Sequence, residues 1–486
     1  MLRRLIAALD RLSGADVLLP LSRRETQLVV LYFLFLFLLC FARLGVFVLP
    51  QLDDLTHASI GASILQTGDW FTMHEGRLVS WLKPPLYFWI EAVFFKLFSV
   101  SAYWAKLPAA VCGFLTYILV YRLGALLYGR RTGFFSVFVL STSLFFLRYT
   151  QRVMLDMPAS FAVTLALYAA VRAERGEERW FLLYGAALAL GYYFKGLQGL
   201  YALGIVPLYL LLSGRGRLLL NRYLLGGFLL CAALIGAWTV PQYLTHGAEF
   251  LWSQCGIGPL AAGGLKGYTN PFYHPLFALF HEFYWAPLSF AGMWFSFRGV
   301  NGQDGRDART LLLLWFWTIL AALCVSSVFG VRYLVPLLVP AGLFAGYALH
   351  RLIEPRLYPR VQHAICGLFG LGTLVSLALP PRPPKEPTEL ISFYRCVNAV
   401  LKPADTITLY RERQYVFNQG LVFYSSRPLD KQILSLNESP ALPAPGGRMF
   451  LVTSPADADT VLKTLPPGRA ELFAAGSAWK LFRLKD

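Results

Sequence analysis

The sequence predicts a polytopic α-helical membrane protein that ends in a small soluble α/β domain, and three observations predict it. The 486 residues are 56% hydrophobic and only 15% charged, with a mean hydropathy of +0.52, a balance that suits a chain solvated largely by lipid. Apolar runs long enough to cross a bilayer recur through residues 1–380. Beyond the Pro-rich stretch Pro380–Pro387, PPRPPKEP, the pattern changes to short apolar runs separated by turn residues.

Met1–Thr26 reads as an amphipathic, basic lead-in with Arg3, Arg4, Arg11, Arg23 and Arg24. No cleavable leader is expected, because the first apolar run starts near Gln27 and is long enough to span. Spans are expected at roughly 27–49, 101–126, 132–148, 156–172, 180–194, 197–213, 223–244, 275–297, 310–328, 331–350 and 361–380. That makes about eleven to thirteen membrane helices, each needing about 20 apolar residues. Pro85–Val100 is short and carries Glu91 and Lys96, which suits a re-entrant or surface helix. In the last hundred residues, Thr406–Tyr410, Leu421–Tyr424, Met449–Thr453 and Trp479–Leu484 read as strands, and Thr388–Leu401 and Ala456–Leu465 as helices. The expected division is a membrane domain over 1–380, with an outer-face loop at 50–100, and a soluble domain over 381–486.

A net charge of +17 would suit a nucleic-acid partner, but the basic residues lie in short loops between apolar runs, so no nucleic acid is expected. Their distribution sets an orientation instead. With a cytoplasmic N-terminus, the arginine-rich loops (Arg130-Arg131, Arg215 to Arg222, Arg351 to Arg360 among them) all fall inside. The opposite loops are sparser, and the stretch Leu52–Pro85 faces outward with them. The seven cysteines are scattered without a CxxC pair, so they read as small apolar residues. No GxGxxG or Walker pattern occurs, which argues against a cytosolic nucleotide site.

Chemistry is expected in the outer loops, above all in Leu52–Pro85, LDDLTHASIGASILQTGDWFTMHEGRLVSWLKPP. It is too polar to span and too aromatic for an ordinary solvated loop. Asp53 and Asp54 follow a span directly, where partial desolvation raises carboxylate basicity and suits a general base; the alternative is a helix N-cap. Lys83, Arg152, Lys195 and Arg332, with Tyr333 next to the last, fall on the same membrane face, the four basic residues making a ring of cations suited to a lipid phosphate. Each has a plainer reading. Lys83 and Lys195 could be interfacial anchors, and Arg152 with Asp156 has the spacing of an intrahelical ion pair. His57, His74, His274 and His281 lie in different loops, and no metal site is expected. A base plus cations fits displacement at a sugar carbon by a hydroxyl, with a phosphate leaving.

LDDLTHASIGASILQTGDW, KPPLYFW, RVMLDMP, YFKGLQGL and GVRYLVPLLVP, in that order, resemble the bacterial lipid-linked-sugar glycosyltransferases of the GT-C fold. The resemblance extends over nearly the whole chain, and the protein O-mannosyltransferases and lipid A aminoarabinose transferases are the members most similar in layout. It implies an inverting, membrane-embedded transferase using a polyprenyl-phosphate sugar. It also implies that Asp53, beside Asp54, is the catalytic or acceptor-positioning acid. Lys83 would bind the donor phosphate, Asp156 would be the third-loop aspartate, and Arg332 and Tyr333 would lie near the phosphate. Two positions depart from the aminoarabinose pattern: Leu82 stands where an acidic residue is usual, and Asp54 where Glu is common. The sugar and the acceptor are thereby left open.

The expected function is transfer of an aminoarabinose-like sugar or a hexose from undecaprenyl phosphate to lipid A, outside the bacterial inner membrane and without a cofactor. Transfer to a protein Ser/Thr hydroxyl is the second reading, and a flippase for the lipid-linked sugar the third.

Overall fold

A computed structural model describes residues 22–46, 49, 53–76, 78–81, 83–254, 273–298, 303–326, 329–380, 388–410, 414–427, 430–433, 446–476 and 479–485. The basic lead-in up to residue 21, the linker at 381–387 and the departure at Leu82 lie outside the described residues. The chain forms two compact units. One comprises Met1–Leu44, Trp81–Leu86 and Lys106–Pro380; the other comprises Gly45–Ser80, Tyr87–Ala105 and Pro381–Asp486.

The first unit is helical and membrane-spanning. Among the described residues seven helices are long and apolar enough to cross a bilayer, or eight if one bent pair counts as a span. The difference from eleven has structural causes. Arg130–Thr142 and Leu144–Thr150 are one apolar run bent by 79° at Ser143, whose hydroxyl caps the second piece by accepting from the Phe146 N–H. The run expected at 275–297 is two shorter helices, Tyr273–Glu282 and Ala286–Arg298. Asp156–Glu174 carries charge at both ends and is not among the seven.

Trp180–Leu212 passes as one stretch yet doubles back on itself. The Tyr184 hydroxyl donates to the Ala202 carbonyl at 3.0 Å, and a methyl added at Gly191 would meet the Gly199 carbonyl at 2.3 Å. In a straight helix eight residues span about 12 Å, so only a hairpin allows these contacts. Its arms are Trp180–Lys195 and Tyr201–Leu212, joined by the 3-10 turn Gly196–Leu200. Lys195 is thereby delivered to the tip of the hairpin, beside the start of its neighbour Asp156–Glu174.

The second unit joins the opening loop to the C-terminal residues. Asp53–Thr67 is a helix, and Gly68 at φ +72° turns the chain after it. Asp69 then accepts from the Phe71 and Thr72 N–H groups at 2.9 Å and meets His74 Nε2 at 3.0 Å. Burial acts against that carboxylate, but these three groups hold it below the usual range. His74–Glu75 pairs antiparallel with Leu78–Val79.

Thr406–Tyr410 lies between Lys431–Ile433 and Met449–Thr453, parallel to both; Lys480–Leu484 and then Ala470–Ala475 extend the sheet antiparallel. Alternation puts Ile407, Leu409, Phe450 and Val452 on one face, over Phe393 and Val397 of the helix Thr388–Val400. Met449, Leu451 and Phe482 face Ala458 and Val461 of the helix Pro455–Thr464 on the other side.

Leu421–Tyr424, expected as a strand, is instead the last part of the helix Gln414–Ser425. Its β-prone LVFY residues gain more from packing: Leu421 and Val422 are fully buried, and the helix lies against both Asp53–Thr67 and Thr388–Val400. Gln66 Nε2 donates to the Val422 carbonyl at 3.1 Å and Gln419 Nε2 to Glu75 at 2.6 Å, so the opening loop is stitched to the C-terminal residues.

Candidate active site

Asp156 and Lys195 form the centre of the site in the first unit. Both side chains are buried, at 2% and 5% exposure, and they make a close ion pair. Asp156 opens its helix, where unpaired N–H groups favour a carboxylate, and Pro158 is tolerated because first-turn N–H groups need no helical acceptor. Lys195 ends the outgoing arm of the hairpin. Gly196 follows at φ +63°, a conformation that glycine adopts without the Cβ clash other residues meet, and its N–H caps the helix through the Tyr192 carbonyl.

Lys195 Nζ lies 4.6 Å from the centre of the Tyr333 ring, and the Arg332 guanidinium lies 5.1 Å from the same ring. Arg332 and Tyr333 are held on a 3-10 turn, Val331–Leu334, that leads into the buried helix Val335–Leu352. Lys83 and Arg332 are both within electrostatic reach of the Lys195 ammonium. Lys83 gets there through its neighbour: Pro84 packs on the turn at Gly196, where an added methyl would sit 3.9 Å from its Cγ. Lys195 and Arg332 therefore meet at the Tyr333 ring beside the Asp156 carboxylate, with Lys83 within electrostatic reach of the Lys195 ammonium. Like charges held this closely are costly unless anionic groups lie among them.

Arg152 lies in the turn before Asp156, its guanidinium 5.7 Å from the Tyr149 ring. The close ionic partner of Asp156 is Lys195, 39 residues along, rather than the neighbour four residues away. Asp53 and Asp54 belong to the other unit, in the first turn of Asp53–Thr67; Asp54 is fully buried and Asp53 partly so. Among the described residues no group of three or more His, Cys, Asp or Glu side chains is placed to hold a metal ion.

Residues 82–240 match the family described as dolichyl-phosphate-mannose-protein mannosyltransferase. The chain is 28% identical, over 74% of its length and 65% of the relative's, to an undecaprenyl phosphate-α-4-amino-4-deoxy-L-arabinose arabinosyl transferase of Pseudomonas aeruginosa. For the corresponding transferase 1 of Proteus mirabilis the figures are 24%, 70% and 63%. The chain thus spans less than two thirds of the length of these relatives. The crystal structure of ArnT from Cupriavidus metallidurans bound to undecaprenyl phosphate superposes with a TM-score of 0.73, covering 94% of this chain and 98% of that one at 17% identity. The chain has the GT-C fold of the lipid-linked-sugar glycosyltransferases. In this GT-C chain the matched stretch 82–240 contains Lys83, Arg152, Asp156 and Lys195, and Arg332 joins them from a later turn.

Two neighbours of these residues were not legible as site residues: His246 merely ends a long apolar run, and Gln254 is a lone amide. A third, Trp81, reads from the sequence as one of several interfacial aromatics, some of which could contact a sugar face. They come together because Gln254 donates to the Trp81 carbonyl and the His246 ring lies 5.3 Å from the Trp81 ring. A polar side chain where an apolar run meets a loop is the one sequence signal that His246 carried.

Proposed function

We propose that the chain is an inverting glycosyltransferase that moves a sugar from undecaprenyl phosphate to lipid A at the periplasmic face of a bacterial inner membrane. One observation carries this reading: Lys195 and Arg332 meet at the Tyr333 ring beside the buried Asp156, with Lys83 within electrostatic reach of Lys195. A phosphate on a lipid carrier satisfies such a cluster, and the arabinosyl transferases similar to this chain are named for an undecaprenyl-phosphate sugar. The excess of arginines in alternate loops supports a cytoplasmic N-terminus and an outward-facing site. An aminoarabinose-like sugar fits the names of those relatives, and a hexose fits the family matched at 82–240.

In this scheme the acceptor hydroxyl attacks the anomeric carbon from the face opposite the phosphate. The new C–O bond forms as the bond from that carbon to the phosphate oxygen breaks, through an oxocarbenium-like state. The bonding electrons leave with the polyprenyl phosphate, and the hydroxyl proton passes to Asp53, with Asp54 as its neighbour. Lys83, Lys195, Arg332 and Arg152 stabilise the charge that grows on the leaving phosphate, so no general acid is required. Asp156 holds Lys195 in place, and Tyr333 offers its ring face to two of the cations.

The match of residues 82–240 to protein mannosyltransferases favours a second acceptor, a Ser/Thr hydroxyl. The test is transfer in proteoliposomes from a radiolabelled undecaprenyl-phosphate sugar to lipid A, with a Ser/Thr-rich peptide in a parallel arm. Wild type should label lipid A, Lys83→Ala should lose transfer, and one of Asp53→Asn and Asp54→Asn should abolish it while remaining folded. Label on the peptide alone would select the protein acceptor. Label that crosses the bilayer with no product in either arm would overturn the enzyme in favour of a flippase.

A further inference from the structure

Close to the cation cluster, two polar ring atoms are buried without a hydrogen-bonding partner among the described residues: Trp81 Nε1 and His246 Nε2. Their rings lie 5.3 Å apart at 50°. The chain fixes the placement of Trp81. Gln254 fixes the Trp81 backbone by donating to its carbonyl, and Gln254 also borders the Gly196 turn that Pro84 packs against. Trp81 is thus held two residues before Lys83, a chain distance of at most roughly 7 Å.

Resting on the donor-phosphate reading above, we infer that Trp81 and His246 form a subsite for a hydroxyl of the sugar ring attached to that phosphate. The chemistry selects a hydroxyl. An indole N–H only donates, whereas imidazole Nε2 donates or accepts according to tautomer. A single hydroxyl accepts from the first and donates to or accepts from the second, which satisfies both buried atoms together. Location selects the sugar. Lys83, Lys195 and Arg332 supply the charge that a phosphate needs, whereas Trp81 adds a neutral donor and an aromatic face, the usual surface for the C–H side of a pyranose. A sugar linked to a phosphate at Lys83 lies within one ring's reach of Trp81. The pair therefore determines which sugar is accepted, whereas Lys83 and its neighbours hold the carrier.

The experiment compares binding of undecaprenyl phosphate with that of undecaprenyl phosphate carrying mannose or 4-amino-4-deoxy-L-arabinose, to the full chain in nanodiscs. Trp81→Phe keeps the ring and removes the N–H; His246→Gln keeps a hydrogen-bonding group near Nε2, and His246→Ala removes it. Wild type should bind one sugar-loaded lipid more tightly than the bare carrier. Trp81→Phe and His246→Ala should each lose about tenfold in affinity for that loaded lipid, the ratio expected for one lost buried hydrogen bond, with bare-carrier affinity unchanged. His246→Gln should recover most of the loss. In transfer assays the same variants should raise KM for the loaded donor more than they lower kcat. If variants with wild-type unfolding temperatures keep the full preference for the loaded lipid, a bridging water satisfies the two atoms and the sugar subsite is wrong. Equal loss for loaded and bare lipids would also overturn it. A wild type that binds no polyprenyl phosphate at all would instead overturn the donor-phosphate reading on which the subsite rests.

Discussion

Removing either partner of the Asp156–Lys195 pair should destabilise the protein by unequal amounts, and the inequality tests the picture of the site. Both side chains are almost wholly buried, and breaking such a pair by truncating one member costs about 3–5 kcal/mol. Lys195→Met leaves Asp156 buried, but Lys83 and Arg332 remain near enough to offset part of its charge, so the loss should fall near 3 kcal/mol. Asp156→Asn leaves Lys195 facing two like charges with its carboxylate removed, so the loss should approach 5 kcal/mol. The double variant should recover much of the stability, because no buried charge is stranded, yet it should not transfer sugar. Undecaprenyl phosphate should restore stability to Asp156→Asn more than to Lys195→Met, since the phosphate replaces the missing negative charge. The assay is unfolding of the full chain in detergent, followed by tryptophan fluorescence with and without the lipid. Equal losses for the two single variants, or a double variant less stable than both, would refute this account of the cluster.

Other outcomes follow from particular contacts. Gly196→Ala should cost about 1–3 kcal/mol, because the alanine must adopt φ near +63°, and it should weaken lipid binding by moving Lys195 and Pro84 together. Glu91 is fully buried in the second unit, and both carboxyl oxygens lack a partner among the described residues; burial pushes its pKa well above the ordinary value. Glu91→Gln, which mimics the protonated acid, should therefore match the wild type near pH 4 and be the more stable of the two near pH 7. Because the folded state keeps a proton that the unfolded state releases, the wild type should lose stability above about pH 4 as pH rises towards the folded pKa, and the variant should lose that slope. Gly61→Ala should disturb the same contact, since its methyl would come within 2.7 Å of Glu91 Oε2, and unfolding should show a loss of about 1–3 kcal/mol. Asp405 accepts from the Lys402 and Arg448 N–H groups and pairs with the Arg448 guanidinium at 2.7 Å; burial opposes the charge, but these donors hold its pKa low. Its contribution is present above the unfolded carboxylate pKa and lost as pH falls below about 4, so Asp405→Asn should flatten the acid limb of an unfolding-versus-pH curve.

The long apolar runs and the arginine-rich loops between them were enough to establish a helical membrane protein and to propose its orientation, because lipid forces every span to bury its own backbone polar groups. Short apolar runs likewise revealed five of the elements of the C-terminal domain (the strands at Thr406–Tyr410, Met449–Thr453 and Lys480–Leu484 and both flanking helices). Local pattern misjudged LVFY at 421–424, because β-propensity records a preference for a half-buried surface and cannot name the surface. It also offered Arg152, four residues away, as the ion-pair partner of Asp156, whereas the hairpin tip at Gly196 delivers Lys195 to it across 39 residues. The tie from Gln66 and Glu75 to the helix Gln414–Ser425, and the meeting of Trp81 with His246, were equally invisible along the chain. The physical reason is the same for all three. Periodicity and charge state which face of an element is apolar and which end is polar, whereas the partner each face meets depends on how distant segments close on one another, and that is set only when the whole chain packs.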